Sequence, residues 1–193
     1  MLKICVFGAA SDQIPPIYLT AGEALGEQIG KRGHTLVFGG GAHGLMGAVA
    51  RGVYRSGGQI IGIAPRFFDA PGVFFEHCTE FIYTQTMRQR KHKMESGSDA
   101  FIVMPGGNGT FEEFLEVFTL KKLNRLDKPI AVYDINHYYD DLNRLISRAI
   151  EEQFMLPSDR DLFFSCSDPE QILEQIEAVI CASLIVPESR HIL

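Results

Sequence analysis

The sequence predicts an α/β protein, a single domain in which helices cover both faces of a Rossmann-like, doubly wound parallel sheet. Three observations lead to this prediction. Short runs of apolar residues, typical of buried strands, recur along the 193-residue chain. Stretches with helical spacing separate these runs almost throughout, and each run ends at Gly, Pro or Asp, where the chain can turn. Such alternation favours a parallel sheet joined by right-handed crossovers.

The elements follow from the apolar pattern. Five buried strands are predicted, at residues 2–7, 36–38, 60–64, 100–104 and 129–133. Helices are predicted at residues 18–32, 45–56, 87–96, 110–126, 138–153 and 169–182. The domain is expected to cover residues 1–183, since this length suits one core. Residues 184–193 are expected to form a loosely held C-terminal tail.

An irregular stretch at residues 65–78 carries four phenylalanines, Phe67, Phe68, Phe74 and Phe75. A long loop of this kind must pack against the domain, a partner subunit or a bound ligand. Ligands of doubly wound sheets bind beyond the carboxyl ends of the strands, near the point where strand order reverses. The site is therefore expected among the loops that follow residues 7, 38, 64 and 104.

Composition excludes several classes of function. The formal net charge of −6 offers no basic surface for a nucleic-acid polymer. No apolar run approaches the roughly eighteen residues of a membrane span, and the first residues resemble a strand, not a signal peptide. We therefore expect a cytoplasmic protein with no membrane partner. The four cysteines are scattered without zinc-ligand spacing, so no metal site is expected.

Residues 39–44, Gly-Gly-Gly-Ala-His-Gly, match the G-x-G-x-x-G string of dinucleotide-binding folds. That fingerprint also needs an acidic residue about twenty positions later, and no Asp or Glu lies between Glu27 and Asp69. NAD is therefore disfavoured. What is left is either a loop whose bare backbone approaches an anionic ligand or a tight turn that needs glycine. His43 in this loop has no Asp or Cys partner nearby in the sequence, and we expect it to have no role.

Residues 105–113, Pro-Gly-Gly-Asn-Gly-Thr-Phe-Glu-Glu, lie between a predicted strand and a predicted helix. Free backbone N–H groups at such a junction can cradle a phosphate, and three glycines leave it room. Thr110 can add its hydroxyl. An alternative is that Thr110 and Glu113 form a capping box that satisfies only the helix's own donors.

The helix that follows is expected to bury one apolar stripe formed by Phe111, Phe114, Leu115 and Phe118. Glu113 would then stand on the flank of this stripe, near the N-terminus, where its carboxylate can reach the cleft. Glu112 points in another direction, so a paired-carboxylate glycosidase site is not expected.

Residues 87–94, Met-Arg-Gln-Arg-Lys-His-Lys-Met, put a basic segment at a helix start, where the helix dipole disfavours cations. Arg90 and Lys91 fall between Met87 and Met94, on the face expected to be buried. An inward arginine needs an anionic partner, which Glu113 or a substrate phosphate would supply. The alternative is a solvated run of charge.

Taken together, these segments resemble the LOG (Lonely guy) family, the cytokinin riboside 5′-monophosphate phosphoribohydrolases, many of which have been labelled lysine decarboxylases in error. The resemblance covers most of the chain. Its motifs are G-G-G-x-x-G-L-M-G at residues 39–47, M-x-x-R-K at residues 87–91 and P-G-G-x-G-T-x-x-E at residues 105–113. It implies a hydrolase, usually dimeric and without a cofactor, that converts a nucleoside 5′-monophosphate, AMP or an N6-modified adenylate, to free base and ribose 5-phosphate.

The resemblance also implies which residues act. Arg90 and Glu113 are the expected catalytic pair. The carboxylate would stabilise an oxocarbenium-like transition state or orient a water, and Arg90 would hold Glu113 ionised or bind phosphate. Substrate or phosphate contacts are expected from Ser11, Gly41, Met87, Lys91, Gly106, Gly107, Asn108, Gly109, Thr110 and Thr119.

Two segments depart from the family pattern and leave base selectivity open. Residues 8–11 are Gly-Ala-Ala-Ser where the family often has C-G-S-S, and residues 119–123 are Thr-Leu-Lys-Lys-Leu where it usually has T-W-x-Q-L. Three other functions compete with hydrolysis: a non-catalytic nucleotide or cofactor carrier, an NAD-dependent oxidoreductase, and a pyridoxal phosphate decarboxylase, which would need a reactive lysine. We expect a homodimer, because the resemblance implies one and because a monomer would have difficulty covering the four phenylalanines of residues 65–78.

Overall fold

A computed structural model describes residues 1–185 of the chain. The strands are β1 (Lys3–Phe7), β2 (Thr35–Phe38), β3 (Gln59–Pro65), β4 (Glu80–Thr84), β5 (Ala100–Val103), β6 (Ile130–Tyr133) and β7 (Phe164–Cys166). The α-helices are α1 (Pro16–Lys31), α2 (Gly44–Arg55), α3 (Met87–Ser96), α4 (Asn108–Lys122), α5 (Asp140–Glu151) and α6 (Pro169–Ile185).

The strands form one parallel sheet in the order β4-β3-β2-β1-β5-β6-β7. Successive side chains of a strand point to opposite faces, so Ile4 and Val6 pack into one core layer and Cys5 and Phe7 into the other. Residues of α1, α2 and α6 complete the first layer, and residues of α3 and α4 complete the second. The predicted fold class, a doubly wound sheet covered on both faces, is confirmed.

Strand order reverses between β1 and β5, because the chain builds β2, β3 and β4 on one side of β1 and β6 and β7 on the far side of β5. The loops after β3, β2, β1 and β5 therefore stand in that order along the carboxyl edge of the sheet. Neighbouring strands are about 4.8 Å apart, so the first and last of these loops are separated by roughly 14 Å. This edge is where a ligand is expected.

All five predicted buried strands are present, and the sheet also contains β4 and β7 at its two edges, which were not predicted. Both edge strands are only partly buried, whereas the sequence criterion selected continuous apolar runs, which mark strands buried on both faces. At the C-terminus, α6 extends to Ile185, so residues 184 and 185 of the expected tail are helical. The rest of that expected tail lies outside the described residues.

The boundaries and buried face of α4 also differ from expectation. The helix begins at Asn108, two residues early, and ends at Lys122 instead of reaching residue 126. Phe111 and Leu115 are 37% and 49% exposed. The buried face instead runs through Thr110, Glu113, Phe114, Val117 and Phe118. The buried face thus includes Glu113, which contacts Arg90 of α3, and leaves two residues of the expected apolar stripe exposed.

Within residues 1–185, every helix is too short or too polar to cross a bilayer.

Candidate active site

The loops after β3, β2, β1 and β5, with the start of α3, enclose a cavity of about 530 Å³. This is a typical volume for a small-molecule site. Seven of the twelve residues predicted for the site line it: Gly41, Met87, Arg90, Gly107, Gly109, Thr110 and Glu113. The sequence-based choice of loops was therefore sound, since residues far apart in the chain meet at one place.

Arg90 and Glu113 form a buried ion pair at this cavity. Arg90 Nη1 donates to Glu113 Oε1 at 2.7 Å, and Arg90 Nε donates to the carbonyl oxygen of Ile63 at 3.2 Å. A Cβ atom on Gly39 would lie only 2.2 Å from Arg90 Nη2, so only glycine leaves room for the guanidinium beneath the loop after β2. Burial raises the pKa of Glu113 above its ordinary value, and the positive charge of Arg90 partly opposes that rise.

The amino end of α4 opens into the same cavity. Gly107 is the N-cap, so the N–H groups of Asn108, Gly109 and Thr110 lie in the first turn, where the helix supplies them no carbonyl partner. A Cβ atom on Gly107 or Gly109 would meet no protein atom within 4 Å. The arrangement suits a compact anion, because donors and open space coincide at the positive end of a helix dipole.

The capping-box alternative was wrong. Thr110 stands inside the first turn of α4 and the cap makes no side-chain hydrogen bond. Thr110 is instead buried beside Gly106, where a Cβ atom would lie 2.0 Å from its hydroxyl oxygen. Glu113 is held by Arg90. Both residues therefore serve the cavity and its ion pair, not the termination of the helix.

Two tyrosines that sequence reasoning missed hold the loop between β5 and α4. Tyr138 donates its hydroxyl to the carbonyl oxygen of Gly106 at 2.6 Å, and Tyr139 donates to that of Met104 at 2.7 Å. Because both carbonyl oxygens accept these hydrogen bonds, the loop is held in the conformation that presents its N–H groups. The sequence carries no local sign of these contacts, which cross more than thirty residues.

The remaining predicted residues lie outside the cavity lining. Lys91 is held by Glu112 at 2.9 Å and Glu116 at 2.8 Å, so α3 and α4 are tied by a second ionic contact beside the first. Ser11 is exposed and accepts from the N–H of Gln13. Gly106 and Asn108 flank lining residues, and Thr119 lies on the exposed side of α4.

The far side of the cavity is apolar and is formed largely by the loop between β3 and β4, here called the phenylalanine loop (residues 66–79). Phe68, Val73 and Phe74 line the cavity together with Met46 of α2. The phenylalanine loop pairs with the loop after β2, since the N–H of Ala42 donates to the carbonyl of Val73 and that of Phe75 to Gly40, both at 2.9 Å. Phe67 is 63% exposed.

The expectation that His43 has no partner was wrong. Its Nδ1 lies 2.6 Å from Asp12 Oδ2, and its Nε2 lies 3.0 Å from the carbonyl oxygen of Gly72. His43 also lines the cavity. Asp12 accepts a 2.7 Å hydrogen bond from the N–H of Gly44, which, with His43, lowers the pKa of Asp12. The partner is remote in sequence and becomes adjacent only through the order of the strands.

Among residues 1–185, one group could offer three ligands to a metal ion, Asp134, His137 and Asp140. It follows β6, outside the cavity lining, and two of its members are exposed.

Sequence comparison gives a consistent set of relatives. A family described as possible lysine decarboxylase matches residues 46–176. The chain is 39% identical over 176 residues to the probable cytokinin riboside 5′-monophosphate phosphoribohydrolase LOGL6 of Oryza sativa subsp. japonica, covering 91% of this chain and 70% of that protein. It is 36% identical over 176 residues to the cytokinin riboside 5′-monophosphate phosphoribohydrolase LOG5 of Arabidopsis thaliana, covering 91% and 77%.

Structural comparison supports the fold. The molybdenum cofactor carrier protein of Chlamydomonas reinhardtii superposes with a TM-score of 0.71 at 19% identity, covering 93% of this chain and 98% of that one. The molybdenum cofactor binding protein of the phototrophic bacterium Rippkaea orientalis gives 0.70 at 23% identity, covering 93% and 97%. At these identities the likeness concerns the architecture alone.

Proposed function

Because the chain belongs to the LOG family of cytokinin riboside 5′-monophosphate phosphoribohydrolases, we propose that its cavity hydrolyses the N-glycosidic bond of a nucleoside 5′-monophosphate. The products are the free base and ribose 5-phosphate. The observation that carries the proposal is the buried Arg90–Glu113 pair beside the open amino end of α4. AMP and its N6-modified forms are the proposed substrates, which places the enzyme in cytokinin biosynthesis.

In this proposal, different parts of the cavity act on the phosphate and on the sugar of the nucleotide. The first-turn N–H groups of α4 and the hydroxyl of Thr110 hold the 5′-phosphate, and binding energy from this remote group fixes the sugar. As the base departs with the bonding electron pair, positive charge develops on the ribose. The carboxylate of Glu113 stabilises that charge and orients a water whose oxygen bonds to C1′. The water's proton ends on the base.

Arg90 acts through Glu113 in this proposal. Its positive charge opposes the rise in the pKa of Glu113 that burial causes, and so favours the ionised carboxylate. Gly41 and Met87 border the sugar from the lining, and Ser11, Gly106 and Asn108 contact the substrate from its edges. Lys91 contributes by fixing α3 against α4 through Glu112 and Glu116.

Three observations weigh against the competing functions. A carrier would need the glycines but not a buried, ionisable pair. The lining residues within 1–185 include no lysine that could hold pyridoxal phosphate. NAD binding requires an acidic residue after the loop of residues 39–44, and the sequence lacks it.

A homodimer is proposed from an uncovered stripe on α4. Phe111, Leu115 and Leu123 are 37%, 49% and 60% exposed. They lie with Thr119 at four-residue intervals, so they share one side of the helix. A second copy would cover this stripe, to which the exposed Thr119 belongs. Light scattering at micromolar concentration should give twice the chain mass, and a monomeric mass would contradict it.

The proposed compartment is the cytoplasm, where the four free thiols stay reduced.

The direct test is release of base from a panel of nucleotides. AMP should yield adenine and ribose 5-phosphate in equal amounts, whereas adenosine should react at least about a hundredfold more slowly, because it lacks the group that the α4 terminus binds. Equal turnover of AMP and adenosine would contradict the phosphate site. Intact AMP after prolonged incubation would contradict the proposed activity.

A further inference from the structure

Three loops meet at the apolar side of the cavity, and one pair of side chains joins them. Asp12 belongs to the loop after β1, His43 to the loop after β2, and Gly72 to the phenylalanine loop. His43 contacts Asp12 through Nδ1 at 2.6 Å and the Gly72 carbonyl through Nε2 at 3.0 Å. Neither contact involves Arg90 or Glu113, the pair that acts in the proposed reaction.

The three loops are already close, which lets one imidazole connect them. Gly44 adopts a positive φ of 59°, and a Cβ atom there would lie 2.5 Å from the carbonyl oxygen of Ala9. The loops after β1 and β2 therefore touch backbone to backbone. The phenylalanine loop is attached to the loop after β2 through Ala42 and Phe75. His43 adds a side-chain contact on each side.

The position of this link along the sheet indicates which part of a ligand it serves. The proposed phosphate site follows β5 and the phenylalanine loop follows β3, so the two stand on opposite sides of the cavity, with the loops after β2 and β1 between them. Within residues 1–185, the loops after β1, β2 and β3 contribute one ionisable side chain to the cavity lining, that of His43. The rest of that side is backbone and apolar surface, which suits the face of a flat base.

We propose that His43, held by Asp12, is a positioning residue that fixes Phe68, Val73 and Phe74 as the wall against which the base of the nucleotide packs. The identity of the ligand rests on the proposed function. The link itself does not, because it joins loops of the free protein.

The test compares a ligand that has a base with one that lacks it. For His43→Ala we expect the affinity for AMP to fall about fivefold, as suits the loss of exposed side-chain contacts, while that for ribose 5-phosphate stays within about twofold. KM for AMP should rise and kcat should change little, because the wall binds substrate and transition state alike. His43→Gln, which can still donate to Gly72, should recover part of the loss. His92→Ala, an exposed histidine on α3, is the control.

A second measurement needs no activity. Amide hydrogen exchange at Ala42 and Phe75, which pair the two loops, should quicken in His43→Ala and stay unchanged in His92→Ala. Equal loss of affinity for AMP and ribose 5-phosphate would overturn the proposal, and so would unchanged AMP affinity or unchanged exchange. If the wild-type protein releases no base from AMP, the hydrolase assignment fails, yet exchange and ligand affinity still decide the role of His43.

Discussion

Arg90 Nη1 and Glu113 Oε1 lie 2.7 Å apart, and each side chain is only 10% exposed. A buried ion pair adds little to stability, because the cost of removing both charges from water offsets their attraction. Its place at the lining of a cavity, beside a helix terminus that can bind phosphate, fits a chemical role better than a structural one. The first three predictions follow from this pair.

Glu113→Gln should lower turnover of AMP by about two to four orders of magnitude, because a neutral amide cannot stabilise positive charge on the ribose. AMP affinity should change little, since Glu113 is proposed to act on the sugar and not on the phosphate. The amide oxygen can still accept from Arg90, so the melting temperature should fall by only a few degrees. Base release, AMP affinity and thermal unfolding measure the three effects.

Glu112→Gln is the matched control for this substitution. Its side chain is 61% exposed and contacts Lys91, not the cavity. Activity should remain within about twofold of wild type. Base release by Glu113→Gln at the rate of the control would remove the mechanism.

The pH profile of kcat should have an acid limb whose midpoint lies above the ordinary pKa of glutamate, because burial raises the pKa of Glu113 and the ionised form is the active one. Arg90→Gln removes the charge that opposes this rise, so the midpoint should move to higher pH. An acid limb with the same midpoint in the wild-type protein and in Arg90→Gln would show that a group other than Glu113 titrates.

The free energy of unfolding should also depend on the protonation of Glu113, but it should be higher when the carboxyl is protonated, whereas activity requires the ionised form. A folded-state pKa above the unfolded one means that protonated Glu113 contributes stability below the unfolded pKa, and this contribution is lost as pH rises through the folded pKa. The loss should be larger in Arg90→Gln, which leaves the buried carboxylate unpaired. Denaturant unfolding at several pH values measures it.

Gly107→Ala should raise KM for AMP by about tenfold or more without changing the melting temperature. A methyl group at this position meets no protein atom within 4 Å, so it would intrude only on a ligand at the helix terminus. Gly106→Ala is the informative contrast, because its Cβ atom would lie 2.0 Å from the Thr110 hydroxyl and should lower stability as well. Unchanged KM in Gly107→Ala would place the phosphate elsewhere.

Activity should persist in an excess of chelator. Within residues 1–185, the lining offers one carboxylate and one imidazole, Glu113 and His43, and each is engaged by another side chain. Two such groups are too few for a typical catalytic metal site. Loss of base release on chelation, restored by one particular metal, would contradict this prediction.

The sequence by itself determined the fold class and several of the segments that meet at the cavity. Fully buried strands leave continuous apolar runs, so the middle of the sheet was evident. The segment at residues 105–113 joins a strand end to a helix start, and its glycines show where an anion can approach. The sequence also indicated that Arg90 needs an anionic partner, either Glu113 or a substrate phosphate, because a buried charge requires a partner of opposite sign.

Only the tertiary structure decided what depends on contacts between distant segments. The edge strands β4 and β7 are half-exposed, so their side chains carry a weak hydropathy signal. The face that α4 buries combines Phe114, Val117 and Phe118 with Glu113, which pairs with Arg90 of α3, and the apolar pattern of the helix alone does not reveal this contact. Asp12 and His43 became neighbours because the loops after β1 and β2 are adjacent in the sheet. Local sequence specifies which element forms, whereas strand order specifies which loops meet.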